Sequence, residues 1–208
     1  NDYETYPDFL TRLEQIDPEF ETFAVVDWPP LGTERSGGPL LSRGIDVLRV
    51  LDGDEMGYEV ADSQSVAIAV SHLTSADPDA AFVYLGTTDV VGHATSSLAP
   101  EYRAAIEQAD RWVGELVAAV LARPTYDRED WLILTSTDHG RRDDGGHGGL
   151  SPNERTIFYL ASGPSTRRGT PEIPPGIVDV AVTALAHLGV RIDPSWKLDG
   201  RVVGLVGR

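Results

Sequence analysis

Two short apolar runs in this chain each end in an aspartate and a histidine, and that pairing limits what the chain can fold into. Residues 131–134, Trp-Leu-Ile-Leu, are followed by three hydroxyl residues, then by Asp138, His139 and Gly140, and then by His147 in a glycine-flanked loop. Upstream, residues 80–86, Ala-Ala-Phe-Val-Tyr-Leu-Gly, lead through two threonines into Asp89, Gly92 and His93. Runs of this length and composition read as strands, and in open α/β sheets ligands bind where the chain leaves the strands' carboxyl ends. Asp138 and His139 are adjacent, so an extended backbone would aim them at opposite faces. A sharp turn allowed by Gly140 is expected to bring both to one ion. A single Asp at a strand exit is more often a turn residue. Two carboxylates and three imidazoles at two exits form instead the ligand set of a pair of zinc-like or manganese-like ions. Asp27, at a third strand end with no histidine nearby, reads as structural.

The rest of the chain alternates strands with helices. Residues 6–16 place Phe9, Leu10, Leu13 and Ile16 at helical spacing behind Pro7, and residues 20–28 read as a strand closed by Asp27-Trp28-Pro29-Pro30. Residues 32–44 are loop-rich, residues 45–51 suggest a strand, and residues 52–54 a turn. Asp62 reads as the cap of a helix whose apolar face is Val66, Ala67, Val70 and Leu73. Gly92 favours a loop over residues 89–93, so Asp89 and His93 are not expected on a helix. Pro100 opens a helix running to about Arg123, with Tyr102, Ile106, Ala109, Val113, Leu116, Val117 and Val120 as its core stripe and Asp110 as a carboxylate on the helix face. Residues 156–160 read as a strand, and residues 177–188 as a helix closed by Gly189. His72 and His187 read as structural. The expectation is one globular domain of layered α/β/α class with a largely parallel central sheet.

Composition sets the remaining bounds. A chain of 208 residues with 41% hydrophobic composition can bury one sizeable core. A formal charge of −16 and a pI near 4.5 argue against a nucleic-acid or anionic-membrane surface and favour cations as partners. There is no cysteine, which excludes disulfides, thiolate zinc sites and cysteine nucleophiles within the chain. No run of about 18 apolar residues occurs, and residues 1–4 lack the pattern of a signal peptide. A soluble protein is expected, with cytoplasmic and exported locations both open, as is the oligomeric state.

These residues resemble the alkaline phosphatase superfamily and, within it, the type I phosphodiesterase and nucleotide pyrophosphatase branch. The resemblance rests on Tyr84-Leu85-Gly86 leading into Asp89-Val90-Val91-Gly92-His93, on Tyr102 and Asp110, on Thr137-Asp138-His139-Gly140, on His147-Gly148-Gly149, and on Leu198-Asp199-Gly200-Arg201. It implies an alkaline-phosphatase-like core and a metal-dependent hydrolase acting on a small-molecule phosphate ester. Ligands matching Asp89, His93 and His147 would hold one divalent ion, and ligands matching Asp138 and His139 the other, with zinc expected and manganese an alternative. The family's Ser or Thr nucleophile, and the early Asp that completes the second site, precede the region that residues 6–10 resemble. The chain is therefore expected to lack the N-terminal part of the core and to be inactive or very weak alone, although Thr33, Ser36 and Thr88 offer hydroxyls. Sulfatases and phosphomutases share the scaffold, and a non-catalytic metal-binding or interaction module is the alternative from another class.

Overall fold

Phe23, Ala24, Val25 and Val26 have no solvent exposure, which makes β1 (Thr22–Val26) the centre of the first sheet. The computed structural model describes residues 5–35, 38–41 and 44–206, so Ser36 lies outside the described residues. They form seven helices and five strands, a mixed α/β protein in two compact units. The first unit comprises Asn1–Arg123 and Asp143–Gly146, the second Pro124–Arg142 and His147–Arg208. No helix among the described residues is long and apolar enough to cross a membrane.

In the first unit β1 is paired in parallel with β2 (Val47–Val50) on one side and β3 (Ala80–Val83) on the other, with Phe23 opposite Val47 and Ala81. A central parallel strand is buried on both faces, which explains its unbroken apolar run. Phe23 and Val25 point to one face and form a core with Ala69, against which Val47, Ile68, Val83 and Leu116 pack. The first helix, α1 (Phe9–Ile16), begins at Asp8, whose carboxylate accepts the Thr11 N–H at 2.9 Å. Pro7 thus lies ahead of the cap rather than in the first turn.

Several local expectations give way. The turn expected at residues 52–54 is a one-turn helix, α2 (Gly53–Met56), capped by Asp52. The next helix, α3 (Tyr58–Ser75), starts four residues before Asp62, which is buried within the helix and does not cap it. Residues 89–93 are not a loop: α4 (Thr87–Ala94) carries Asp89 and His93 on successive turns. Gly92 costs such a helix about 1 kcal/mol relative to alanine. That cost is outweighed by contacts from elsewhere in the unit, since Gly92 is buried and residue 145 lies on its carbonyl.

The long helix α5 (Pro100–Leu121) forms as expected, and of its expected stripe Val120 is buried and Leu116 packs on the core, while the other buried positions lie beside that stripe. Ala105, Trp112, Ala119 and Val120 are buried, whereas Ile106 is 47% exposed. Asp110 is exposed on the helix face. Just after the helix, the buried Arg123 guanidinium donates to the carbonyls of Leu73 and Ala76, satisfying the C-terminal end of α3.

The second unit holds β4 (Ile133–Ser136) and β5 (Tyr159–Ser162), which pair antiparallel, with Ile133 opposite Ser162. The parallel arrangement therefore holds for the first sheet only. A parallel return needs a crossover, usually a full helix, and between β4 and β5 there is only α6 (Pro152–Arg155), a single turn. β4 is half-buried, not enclosed. The last helix, α7 (Val178–His187), buries Val182, Thr183 and Leu185 and is followed by Gly189 in the left-handed region, at φ 79°. Its buried Asp179 accepts the N–H groups of Gly176 and Arg201, and Thr183 Oγ1 accepts that of Val203.

The face α5 buries predicts a contrast in stability. Trp112→Ala should cost about 3–5 kcal/mol, the range for losing a large buried aromatic. Ile106→Ala should cost less than about 1 kcal/mol, as for an exposed site. Urea denaturation of both variants measures the difference, and equal losses would place the buried stripe wrongly.

Candidate metal centre

Each unit carries one aspartate–histidine pair. In the first unit β3 delivers the chain to Gly86, where α4 begins, and Asp89 and His93 sit at i and i+4, on one face of that helix. His93 Nε2 stands 3.6 Å from Asp89 Oδ2. Residues 143–146 pack against this helix: Ser97 N–H donates to the Asp143 carbonyl, and a side chain on Gly145 would meet the Gly92 carbonyl at 1.9 Å. Gly145 also has φ 85°, so glycine is required there on both counts.

In the second unit β4 ends at Ser136, and Asp138 and His139 come just after it, where the sequence places them. His139 Nε2 is 3.6 Å from Asp138 Oδ2, and the His139 N–H donates to Asp138 Oδ1 at 3.0 Å. Gly140 is needed for a reason other than the expected turn. A Cβ there would lie 2.1 Å from the Asn153 carbonyl and 2.4 Å from that of Thr156, so the chain must pass close to α6. The His139 and His147 rings stack, with centroids 3.8 Å apart and planes 19° from parallel.

The donor chemistry suits a divalent ion. Asp89, His139 and His147 each offer one ligand atom of the type such an ion takes. His139 Nδ1 lies 3.0 Å from the Gly140 carbonyl. A carbonyl can only accept, so Nδ1 carries the proton and Nε2 the lone pair, the arrangement by which backbone carbonyls orient metal-bound histidines. Separations of 3.6 Å are too long for a hydrogen bond. They are close to the edge of a tetrahedron, about 3.3–3.4 Å for ligand bonds of about 2.0–2.1 Å.

The other histidines and hydroxyls have different partners. His72 stacks on Phe23 at 4.1 Å, and burial, then the charge of Arg49, pushes its pKa below the ordinary value. His187 Nε2 meets the Asp130 carbonyl at 2.6 Å. The Thr33 hydroxyl donates to the Pro29 carbonyl.

Glu154 is a residue that the motif spacing does not single out. Its buried carboxylate accepts the N–H groups of Gly149 (2.8 Å) and Ser151 (3.2 Å) and the Ser151 hydroxyl, and it pairs with Arg142 at 3.0 Å. Its carbonyl accepts the Gly140 N–H at 2.9 Å. One residue of α6 therefore holds the backbone next to His139 and two residues beyond His147. The signal that could have found it is Ser151-Pro152-Asn153-Glu154, the S-x-x-E capping box, which forms here in full.

Compared with known proteins, the chain matches no family model and no curated protein is similar to it.

The hydrogen bonds from the Ser151 hydroxyl and the Gly149 N–H hold the Glu154 pKa below its ordinary 4.5. An acid with a depressed folded-state pKa stabilises above its unfolded value, and that contribution is lost as pH falls through the folded one. Glu154→Ala should therefore speed amide exchange at Gly149 and Ser151 roughly tenfold at neutral pH, as for a lost charged acceptor. The wild-type chain should show the same loss only on acidification below pH 4.5. Amide exchange followed by NMR checks both, and Gly149 protection unchanged in the variant would deny Glu154 this role.

Proposed function

We propose that this chain is a divalent-metal-dependent hydrolase of phosphate esters, of phosphodiesterase or nucleotide pyrophosphatase type. The observation that carries the reading is the repeated Nε2–Oδ2 separation of 3.6 Å, at Asp89 with His93 and at Asp138 with His139. The two pairs follow different strands, one after β3 and one after β4, and both put a carboxylate oxygen and an imidazole nitrogen at ligand-edge spacing. The resemblance to the alkaline phosphatase superfamily supplies the reaction class and assigns Asp89, His93 and His147 to one ion and Asp138 and His139 to the other. Zinc fits the nitrogen and oxygen donors, and manganese is the alternative.

Bound in pairs, such ions supply charge neutralisation on a phosphoryl group undergoing in-line displacement. The chain's own residues bind and orient. Helix α4 fixes Asp89 relative to His93, the Gly140 carbonyl fixes the His139 tautomer, and Glu154 restrains the backbone on the flanks of His139 and His147.

Titration calorimetry with zinc and with manganese tests the binding. His93→Ala and His139→Ala should each weaken binding about tenfold or more, the size of effect seen even for groups one shell further out. His72→Ala and His187→Ala should change it little. No saturable binding of either ion would overturn the reading, and equal losses in all four variants would mean general destabilisation in place of ligation. Ion-dependent hydrolysis of bis-p-nitrophenyl phosphate, lost in Asp138→Ala, supports the esterase.

A further inference from the structure

Helix α4 has no cap of its own. Gly86 occupies its N-cap position and offers no side chain, yet the N–H groups that open the helix are satisfied. Gly86 N–H donates to Asp62 Oδ1 at 2.7 Å and Thr87 N–H to Asp62 Oδ2 at 3.0 Å. Asp62, from the interior of α3, thus does for α4 what a neighbouring capping residue does for an ordinary helix. Its negative charge is favourably placed at the positive end of the helix dipole.

Beneath this cap lies Asp27, the residue that ends β1. It has no solvent exposure, and no other residue's N–H or hydroxyl reaches either carboxyl oxygen. A side chain on Gly86 would come within 3.2 Å of Asp27 Oδ1, so the carboxyl sits against the first residue that Asp62 holds. The side chain that acts on it most strongly is the Asp62 carboxyl. Two carboxyls can join only through a proton, and two neighbouring buried negative charges would repel. Burial disfavours a charge on Asp27, so Asp27 holds the proton and the Asp62 carboxyl is left to accept the two N–H groups.

We propose that Asp27 and Asp62 form a one-proton acid pair that seats the N-terminus of α4, making them positioning residues for Asp89 and His93. Burial first, and Asp62 second, push the Asp27 pKa from 3.8 up to about 9. The surrounding groups give a second charge no relief. From α3 it faces Asp62 and Tyr58, whose own pKa burial raises, and around α2 Asp54 and Asp52 act on the same Tyr58. The consequence for metal binding rests on reading Asp89 and His93 as ligands, whereas the seating of α4 does not.

The pH dependence has a definite sign. The folded chain keeps a proton on Asp27 that the unfolded chain releases above about pH 4, so this contribution to stability is full below pH 3.8 and is lost as pH rises through about 9. Raising the pH to about 10 should therefore loosen the start of α4, and Asp27→Asn, which keeps the shape and a donor but cannot ionise, should remove that dependence.

The test is amide exchange at Gly86 and Thr87, referred to Val25 in β1, between pH 7 and 10, together with infrared detection of a protonated carboxylic acid at pH 7. In the wild-type chain protection at Gly86 and Thr87 should fall roughly tenfold more than at Val25, as for a lost hydrogen bond to a charged acceptor. In Asp27→Asn it should stay level and the infrared band should vanish. Asp62→Asn should lose the protection at every pH and weaken zinc binding about as much as the lost hydrogen bonds. If that variant does not fold, the wild-type titration and Asp27→Asn still decide. A wild-type band absent at pH 7, or Gly86 and Thr87 tracking Val25 throughout, would overturn the pair. Protection lost in Asp62→Asn with zinc binding unchanged would overturn the positioning role. If His93→Ala also left zinc binding unchanged, the fault would lie with the ligand assignment, and the exchange data would judge the seating of α4 alone.

Discussion

Parallel pairing on both sides of β1 is the constraint on which the first unit depends. With Phe23 to Val26 fully buried and matched to β2 and β3, the three strands run the same way, and the chain leaves them at one edge of the sheet. The residues just beyond that edge are acidic: Asp27 after β1, Asp52 after β2, and Asp89 soon after β3. Carboxylates crowded at one edge would repel each other, but helices also begin there, and their unpaired N–H groups favour negative charge. Asp52 caps α2 and Asp62 caps α4. Asp27 caps no helix, and its burial favours the neutral form.

The part of this protein that is legible in the sequence is the chemistry that depends on residue type and local order. Asp138 and His139 come after β4 as expected, α5 forms behind Pro100, and α7 ends before Gly189. The features that escape a sequence reading depend on contacts distant along the chain. Gly92 argues for a loop because propensity is local, whereas the support for α4 comes from Asp62, 24 residues before Gly86, and from residue 145. The sequence marks Asp62 as a cap, and it is one, but for the helix after its own. Part of the inward face of α5 goes unread because Ala105 and Ala119 carry little hydrophobic signal. Small residues at those points are nonetheless buried alongside Trp112.

The second unit shows the same limit differently. The run before Asp138 reads as a strand of a largely parallel sheet, yet apolar runs of four residues do not report the direction of their partner. Direction is set by the connection, in which a one-turn helix replaces a crossover. That short helix still has a large effect, because its Glu154 side chain and carbonyl together hold Gly140, Gly149 and Ser151.

The two aspartate–histidine pairs reach the same 3.6 Å separation by different means, and the difference bears on how each would meet an ion. On α4 the backbone is fixed by helical hydrogen bonds and by Asp62, so only side-chain rotations remain to be ordered when a ligand arrives. Around Asp138 and His139 the backbone is irregular and is restrained by single contacts: the N–H of His139 to Asp138, the Gly140 carbonyl to the ring, and Glu154 behind both. Ordering a residue's backbone costs about 1–2 kcal/mol and a side chain up to about 2 more, so a site built on a loop gains most from contacts that fix it in advance. The capping box of α6 supplies such contacts beside the glycine-rich segment. The helix-borne pair is supported at the start of α4, where Asp62 accepts two N–H groups, and at Gly92, against which residue 145 packs.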